Sequence, residues 1–271
     1  MTTTALQKPF RKPRRRIDGW KILFASLFCL LPFLVYVLFC VYPIFQSVLD
    51  SFTNWRGYRT KEWIGVENYK EVLTDPVFWK AVSNDFIITG IKEVIIILLT
   101  VLFAVSLTRF RLKTGEVITY KFLFYLPNIL STVIIGSLWS FVFMAGQSGL
   151  LNAFIGIFNK EVAVDWLTQY PLLCIGFVAS WCGVGLFMLT MISSINQIPL
   201  DLYEASEIDG ASSWQQLFHI TMPAVWLEVT FMVVSILYQS LGGNFAIVNV
   251  FLPNGGLNNN AMVMGLYGYL Y

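Results

Sequence analysis

Five times along its 271 residues the chain runs apolar and uncharged, or nearly so, for about the length that a bilayer demands. Crossing roughly 30 Å of hydrocarbon as a helix takes about 20 such residues. The runs are Ile22 to Leu49, Val94 to Thr108 with an apolar lead-in from Phe86, Phe122 to Asn159, Leu167 to Leu200, and Val229 to Tyr271. Charged residues make up only 13% of the chain, 56% are hydrophobic, and the mean hydropathy is +0.66. A soluble domain carries about 25% charged residues. The fold expected is therefore all-α and polytopic, with spans at about 22–43, 86–108, 120–145, 167–192 and 225–250. A polar turn at 253–260 and a fresh apolar stretch from 261 then read as the start of a sixth span, cut short at Tyr271. Residues 1–21 form a basic tail ahead of a transmembrane domain, 22–271.

Lys8, Arg11, Lys12, Arg14, Arg15, Arg16 and Lys21 are the densest positive cluster in the chain. The apolar run behind them has full spanning length and no small-residue cleavage site, so it is expected to stay as an anchor. The positive-inside rule then holds the N-terminus in the cytoplasm, and a nucleic-acid-binding arm is set aside because a span adjoins it. Counting from this anchor puts Pro43 to Asp85 outside and the basic loop of Arg109, Arg111 and Lys113 inside. It puts Gly146 to Trp166, with Lys160, outside, and Ile195 to Pro223 back in the cytoplasm. The outer segment 50–85 carries Phe52, Trp55, Trp63 and Trp79, which suit interfacial anchoring. Helical spacing of Val72, Leu73, Val77 and Phe78, broken at Asp75-Pro76, predicts two short helices there.

No chemistry of catalysis assembles from these residues. Cys29, Cys40, Cys174 and Cys182 all lie in predicted spans without metal-type spacing and suit apolar packing. His219 is the only histidine, so no metal site is expected. The phosphate-cradling G-x-x-x-x-G-K-[ST] is absent, so any ATP serving this chain is bound by another one.

The loop 196–223 stands apart, with four carboxylates, Asp201, Glu204, Glu207 and Asp209, and no lysine or arginine. Pro199 suits a first helical turn, and Asp201 complements the positive end of the helix dipole. The first helix is expected to reach about Asp209, Gly210 to supply a left-handed bend, and Ser213 with Gln216 to form a capping box for a second helix, which Pro223 stops. Glu204 and Glu207 share one face, Leu202, Ala205 and Ile208 another, and Trp214, Leu217 and Phe218 a third on the second helix. Small residues beside exposed aromatics suggest a knob that enters a groove on another protein.

These residues resemble a known signature. E-A-A, three residues, Gly, nine residues, I-x-L-P marks the membrane subunits of binding-protein-dependent ABC importers. Here it reads Glu204, Ala205, Ser206, Gly210, Ile220, Met222 and Pro223, with Ser206 for the second alanine and Met222 for leucine. Ile208-Asp209-Gly210-Ala211 and Val66-Glu67-Asn68-Tyr69 look like the carbohydrate-uptake branch, similar to maltose and glycerol-phosphate permeases. The resemblance, from about Ile22 onward, implies a six-span type I permease core without enzymatic activity of its own. It implies a second permease subunit, an ATPase dimer holding ATP and magnesium, an extracytoplasmic binding protein and a sugar or related polar solute. The setting implied is the plasma or inner membrane of a bacterium or archaeon, in contact with lipid. Glu204, Ala205, Ser206, Ile208, Asp209, Gly210, Ile220 and Pro223 would form the ATPase-coupling loop.

For the solute pathway, polar and aromatic residues inside spans are costly in lipid and are expected to face a cavity or a neighbouring helix. The candidates are Ser180, Trp181, Gly183, Tyr238, Gln239, Ser240 and Asn244. Gly183 with Gly185, and Gly242 with Gly243, equally suit close helix contacts. Asn128 and Ser131 suit backbone groups freed by Pro127. An ion-coupled secondary transporter is the alternative. It would need buried ionisable groups at mid-membrane, and the nearest, Lys92 and Glu93, are expected close to the outer interface.

Overall fold

A computed structural model describes residues 19–55, 57, 60–109, 112–159 and 163–271. The basic residues from Lys8 to Arg16, together with Arg111 and Lys160, lie outside the described residues. The chain divides into two units, residues 1–74 and 75–271.

In the first unit, α1 (Gly19–Tyr36), a π-helical segment Val37–Val41 and α2 (Tyr42–Asp50) follow one another as a single apolar stretch. The π segment stands two residues ahead of Pro43. Proline brings no N–H to the ladder and its ring crowds the carbonyl four residues back, so a wider turn relieves both conflicts. Beyond α2, Thr53 and Trp63 form an isolated antiparallel bridge, and α3 (Glu67–Thr74) follows. The V-E-N-Y run anchors this cap: Asn68 Nδ2 donates to the carbonyls of Ser51 (2.8 Å) and Thr53 (3.0 Å), and the Tyr69 hydroxyl meets Ser51 Oγ at 2.6 Å. Phe52 stacks on Trp63, and Lys61 pairs with Asp50.

The second unit opens with α4 (Pro76–Arg109), 34 residues without a break. Asp75 Oδ1 accepts from Val77 N at 2.8 Å, and Pro76 occupies the first turn, where its missing N–H costs nothing. The second short helix expected after Asp75-Pro76 is thus the first turn of a full span. α5 (Thr114–Ile129) and α6 (Thr132–Val142) follow, bent by 100° to each other. Next come α7 (Leu150–Gly156), α8 (Trp166–Gln169) and α9 (Pro171–Ile195). The acidic loop holds α10 (Leu200–Ile208), α11 (Ser213–Gln216) and α12 (Met222–Ala224). α13 (Trp226–Gly243), α14 (Phe245–Phe251) and α15 (Met264–Leu270) complete the chain. Among the described residues, three helical stretches, Gly19–Asp50, Pro76–Arg109 and Pro171–Ile195, are long and apolar enough to cross a membrane, and two bent pairs bring the number to five if each is one span.

α4, α9 and α13 enclose the core, in which Ile96, Ala104, Met188, Met191, Met232 and Ile236 are buried. Between helices in lipid, close packing carries the contact because tails are as apolar as leucine. Gly185 shows how close: a Cβ there would stand 2.2 Å from the Phe124 carbonyl oxygen, so α5 lies directly on α9. Cys174 is buried and Cys182 half-buried, whereas Cys29 and Cys40 are exposed on the first stretch, so packing within the chain accounts for two of the four cysteines.

Two expectations of unbroken spans fail. The third is interrupted at Leu130, which is extended (φ −71°, ψ 145°), because Ser131 starts a new helix by accepting from Ile134 N at 3.4 Å. The fifth is interrupted at Leu241 (ψ 87°) and Gly242 (φ 86°). No atom stands within 4 Å of a Cβ at Gly242 or Gly243; the positive φ gives Gly242 a conformational role, and its backbone is closely approached by Gly265, where a Cβ would stand 3.0 Å from Gly242 O.

Candidate functional site

The acidic loop folds as a stapled helix pair. Pro199 is the residue ahead of α10, not its first turn, with extended ψ of 133°. α10 ends at Ile208, Asp209 follows in helical geometry, and Gly210 takes φ +77°. Gly210 N donates to Glu207 O (3.1 Å) and Ala211 N to Ser206 O (2.9 Å), which satisfies carbonyls that the helix end leaves free. The capping box lies one residue earlier than expected, at Ser212 and Gln215. That register frees Gln216 to turn inward, where its Nε2 donates to Ser206 Oγ at 3.0 Å. Ser206 in turn donates to Tyr203 O at 2.8 Å, and the Tyr203 hydroxyl meets Thr221 Oγ1 at 2.9 Å. Tyr203, Gln216 and Thr221 are all buried. The hydroxyl of Ser206, in place of a second alanine, therefore holds the two helices together.

Pro223 does not stop the second helix. A π-helical segment, Leu217–Thr221, again sits two residues ahead of the proline, and the chain bends by 68° only at Val225. Ile220 and Met222 pack against the core and fix the pair from below. Outward stand Glu204, Ala205, Glu207, Asp209 and Ile208, the last 87% exposed. Trp214 and Phe218, both exposed, stack with ring centroids 6.0 Å apart. His219 is exposed, and its Nδ1 lies 3.0 Å from Gln215 O. An acidic rim around apolar side chains is a surface with no partner among the described residues.

At the two helix breaks lies a cleft of about 280 Å³. It draws Lys92 from α4, Asn128 and Thr132 from either side of the α5–α6 break, Cys182 and Gly183 from α9, and Gln239 and Asn244 around the α13 break. Broken helices leave backbone groups unpaired at membrane depth, which is tolerated where they line a cavity. Asn128 does not serve the backbone freed by Pro127; its Nδ2 donates across the cleft to Cys182 O at 3.3 Å.

Of the pathway candidates, Gly183, Gln239 and Asn244 line this cleft. Gly183 also packs closely, since a Cβ would stand 2.8 Å from Ile96 Cδ1. Trp181 is 38% exposed and meets Trp139 edge to face at 5.6 Å, outside the cleft lining. Tyr238 is 77% exposed on α13 and also outside it. Ser180 is fully buried and donates to Gly176 O, a helix-internal bond. Ser240 is buried beneath the cleft as an acceptor for Lys92 at 3.2 Å.

Sequence reasoning missed the polar cluster behind the cleft. Asp85, 2% exposed, accepts from Asn244 Nδ2 (2.8 Å) and from Met264 N (2.7 Å), and Lys92 Nζ donates to Asn244 Oδ1 (3.3 Å) as well as to Ser240. Lys92 is thus engaged across the unit. The available signal was the spacing of Asp85 and Lys92, seven residues and nearly two full turns, which puts both on one helix face.

A multi-pass helical protein with a polar cleft between broken spans, and an exposed helix pair at one end of them, has the make-up of a solute permease. Residues 97–271 match the model of the family described as binding-protein-dependent transport system inner membrane component, and the chain belongs to that family. A probable ABC transporter permease protein, YurN of Bacillus subtilis, is 32% identical over 250 residues, which cover 89% of this chain and 82% of YurN. The diacetylchitobiose uptake system permease protein NgcF of Streptomyces coelicolor is 26% identical over 265 residues, 94% of this chain and 74% of NgcF. Among solved structures, a bacterial alginate ABC transporter, crystallised with its alginate pentasaccharide-bound periplasmic protein, shares the fold with a TM-score of 0.75 at 21% identity, over 93% of this chain and 85% of that one.

Proposed function

We propose that this permease forms half of the translocation pathway of an ATP-driven importer for a sugar or oligosaccharide. A second permease subunit would close the cleft, and an extracytoplasmic binding protein would deliver the solute. The observation that carries the reading is the stapled α10–α11 pair, with Gly210 at its bend and an acidic rim around Ile208, Trp214 and Phe218. A rigid pair with exposed aromatics suits insertion into a groove of an ATPase dimer that holds ATP and magnesium. Glu204 would pair with a basic or polar group there. In this arrangement the N-terminus and the helix pair face the cytoplasm of a bacterial or archaeal cell, and the domain from residue 22 onward lies in lipid. Closing of the ATPases would move the pair and switch the cleft between inward and outward access.

The cleft supports a polar, hydroxyl-rich solute, because Asn128, Thr132 and Gln239 offer amide and hydroxyl groups at its wall beside Lys92. The test is uptake of labelled di- and oligosaccharides by cells that express the chain with its neighbouring subunits. Uptake that stops on ATP depletion and persists when proton and sodium gradients are collapsed supports the reading. The opposite pattern supports an ion-coupled carrier.

A further inference from the structure

One helix is tied at two levels to the two sites above. Toward the cleft, Asp85 and Lys92 of α4 both hold Asn244, two residues past the Gly242 break, and Lys92 also holds Ser240 two residues before it. At the far end of α4, the Arg109 guanidinium lies over the Tyr203 ring, with Cζ 3.5 Å from the centroid. Tyr203 is buried and built into the staple of the α10–α11 pair through its hydroxyl and its carbonyl.

The stretch between these ties is stiff. From Lys92 to Arg109 α4 has no proline and no break, and it covers about 25 Å at 1.5 Å per residue. The other route from the helix pair to the Gly242 break runs along the chain itself. It passes the π-helical segment Leu217–Thr221, Pro223 and the 68° bend at Val225. Bulges and prolines are where helices bend, so that route yields under load. A planar guanidinium stacked on an aromatic face holds its partner over an area rather than at a point, and lysine does not reproduce this.

We infer that Arg109 and Lys92 are positioning residues that make α4 a push rod. Movement of the α10–α11 pair passes through Arg109 to α4, and through Lys92 and Asp85 to the Leu241–Gly242 break, which reshapes the cleft. The inference rests on the proposal that the helix pair is the element moved by the ATPase.

Cys182 is a native reporter, half-buried and lining the cleft, while Cys174 is buried. With Cys29 and Cys40 replaced by serine, the full chain is co-expressed with its partner subunits, and the rate of Cys182 labelling by N-ethylmaleimide is measured in membranes with and without ATP. The parent protein shows an ATP-dependent change in rate. In Arg109→Ala and in Lys92→Met that change falls by about fivefold or more, the scale of a lost allosteric coupling, while ATPase copurification stays at the parent level. Arg109→Lys falls between parent and alanine. Copurification monitors folding, so a variant that merely unfolds is recognised and replaced by Arg109→Met, which keeps the apolar stem and removes the guanidinium over the Tyr203 ring. A full ATP response in Arg109→Ala overturns the push rod and leaves the coupling reading standing; no response in the parent overturns both.

Discussion

Gly210 bends the helix pair with φ +77° and has open space around it, since no atom lies within 4 Å of a Cβ placed there. Replacing it with alanine therefore costs backbone strain alone, about 1–2 kcal/mol for a left-handed residue with a side chain. That is a factor of about 5–30 in the equilibrium between the stapled pair and an opened one. Gly210→Asn costs less, because asparagine visits this region routinely. Gly210→Pro costs most: its fixed negative φ is incompatible, and the donor to Glu207 O is lost, for about a further 1 kcal/mol. The assay is ATPase copurification together with uptake of a labelled oligosaccharide. Both should decline in the order glycine, asparagine, alanine, proline, with the protein still in the membrane. Normal uptake and unchanged copurification in Gly210→Pro would refute the argument that this bend presents the pair to its partner.

Tyr203→Phe removes the hydroxyl that meets Thr221 in a buried site, and should lower stability by about 1–2 kcal/mol in a thermal melt of the detergent-solubilised protein. Asp85→Ala leaves the donors of Asn244 and Met264 without their acceptor and should cost about 2–3 kcal/mol in the same melt. Gly185→Leu drives a side chain into the α5 backbone at Phe124 and should reduce the yield of folded protein, while Gly243→Ala, with open space, should not. Gln239→Ala should raise the half-saturation concentration for uptake, whereas Ser180→Ala, buried away from the cleft, should leave it unchanged.

Local features were legible in the sequence because their causes lie a few residues apart. The apolar runs announce helices, and Glu204 to Gly210 carries both a helix and its end. Where two local solutions compete, the sequence leaves them tied: Ser212 with Gln215 and Ser213 with Gln216 have the same spacing. Burial of Gln216 against Ser206 selects the first. Hydropathy also cannot see a break inside an apolar run. Leu130 and Leu241 are themselves apolar, and the helices part there because Ser131 caps a new helix and Gly242 takes a positive φ. Asp85 and Lys92 escaped because their partners lie 159 and 152 residues away in the chain. The two π-helical segments, at Val37–Val41 and Leu217–Thr221, each precede a proline by two residues. Pro223 reads as a stop in the sequence, whereas the widened turn ahead of it lets the helix continue.

The most direct test of the account is a photocrosslink or disulfide crosslink from Ile208→Cys, in membranes that contain the neighbouring ATPase. Ile208 is the better probe than Ser206, since Ser206 is half-buried and bonded within the pair. The account predicts a crosslink to the ATPase whose yield changes when ATP is added. No crosslink to any ATPase, with the chain folded and in the membrane, would contradict it.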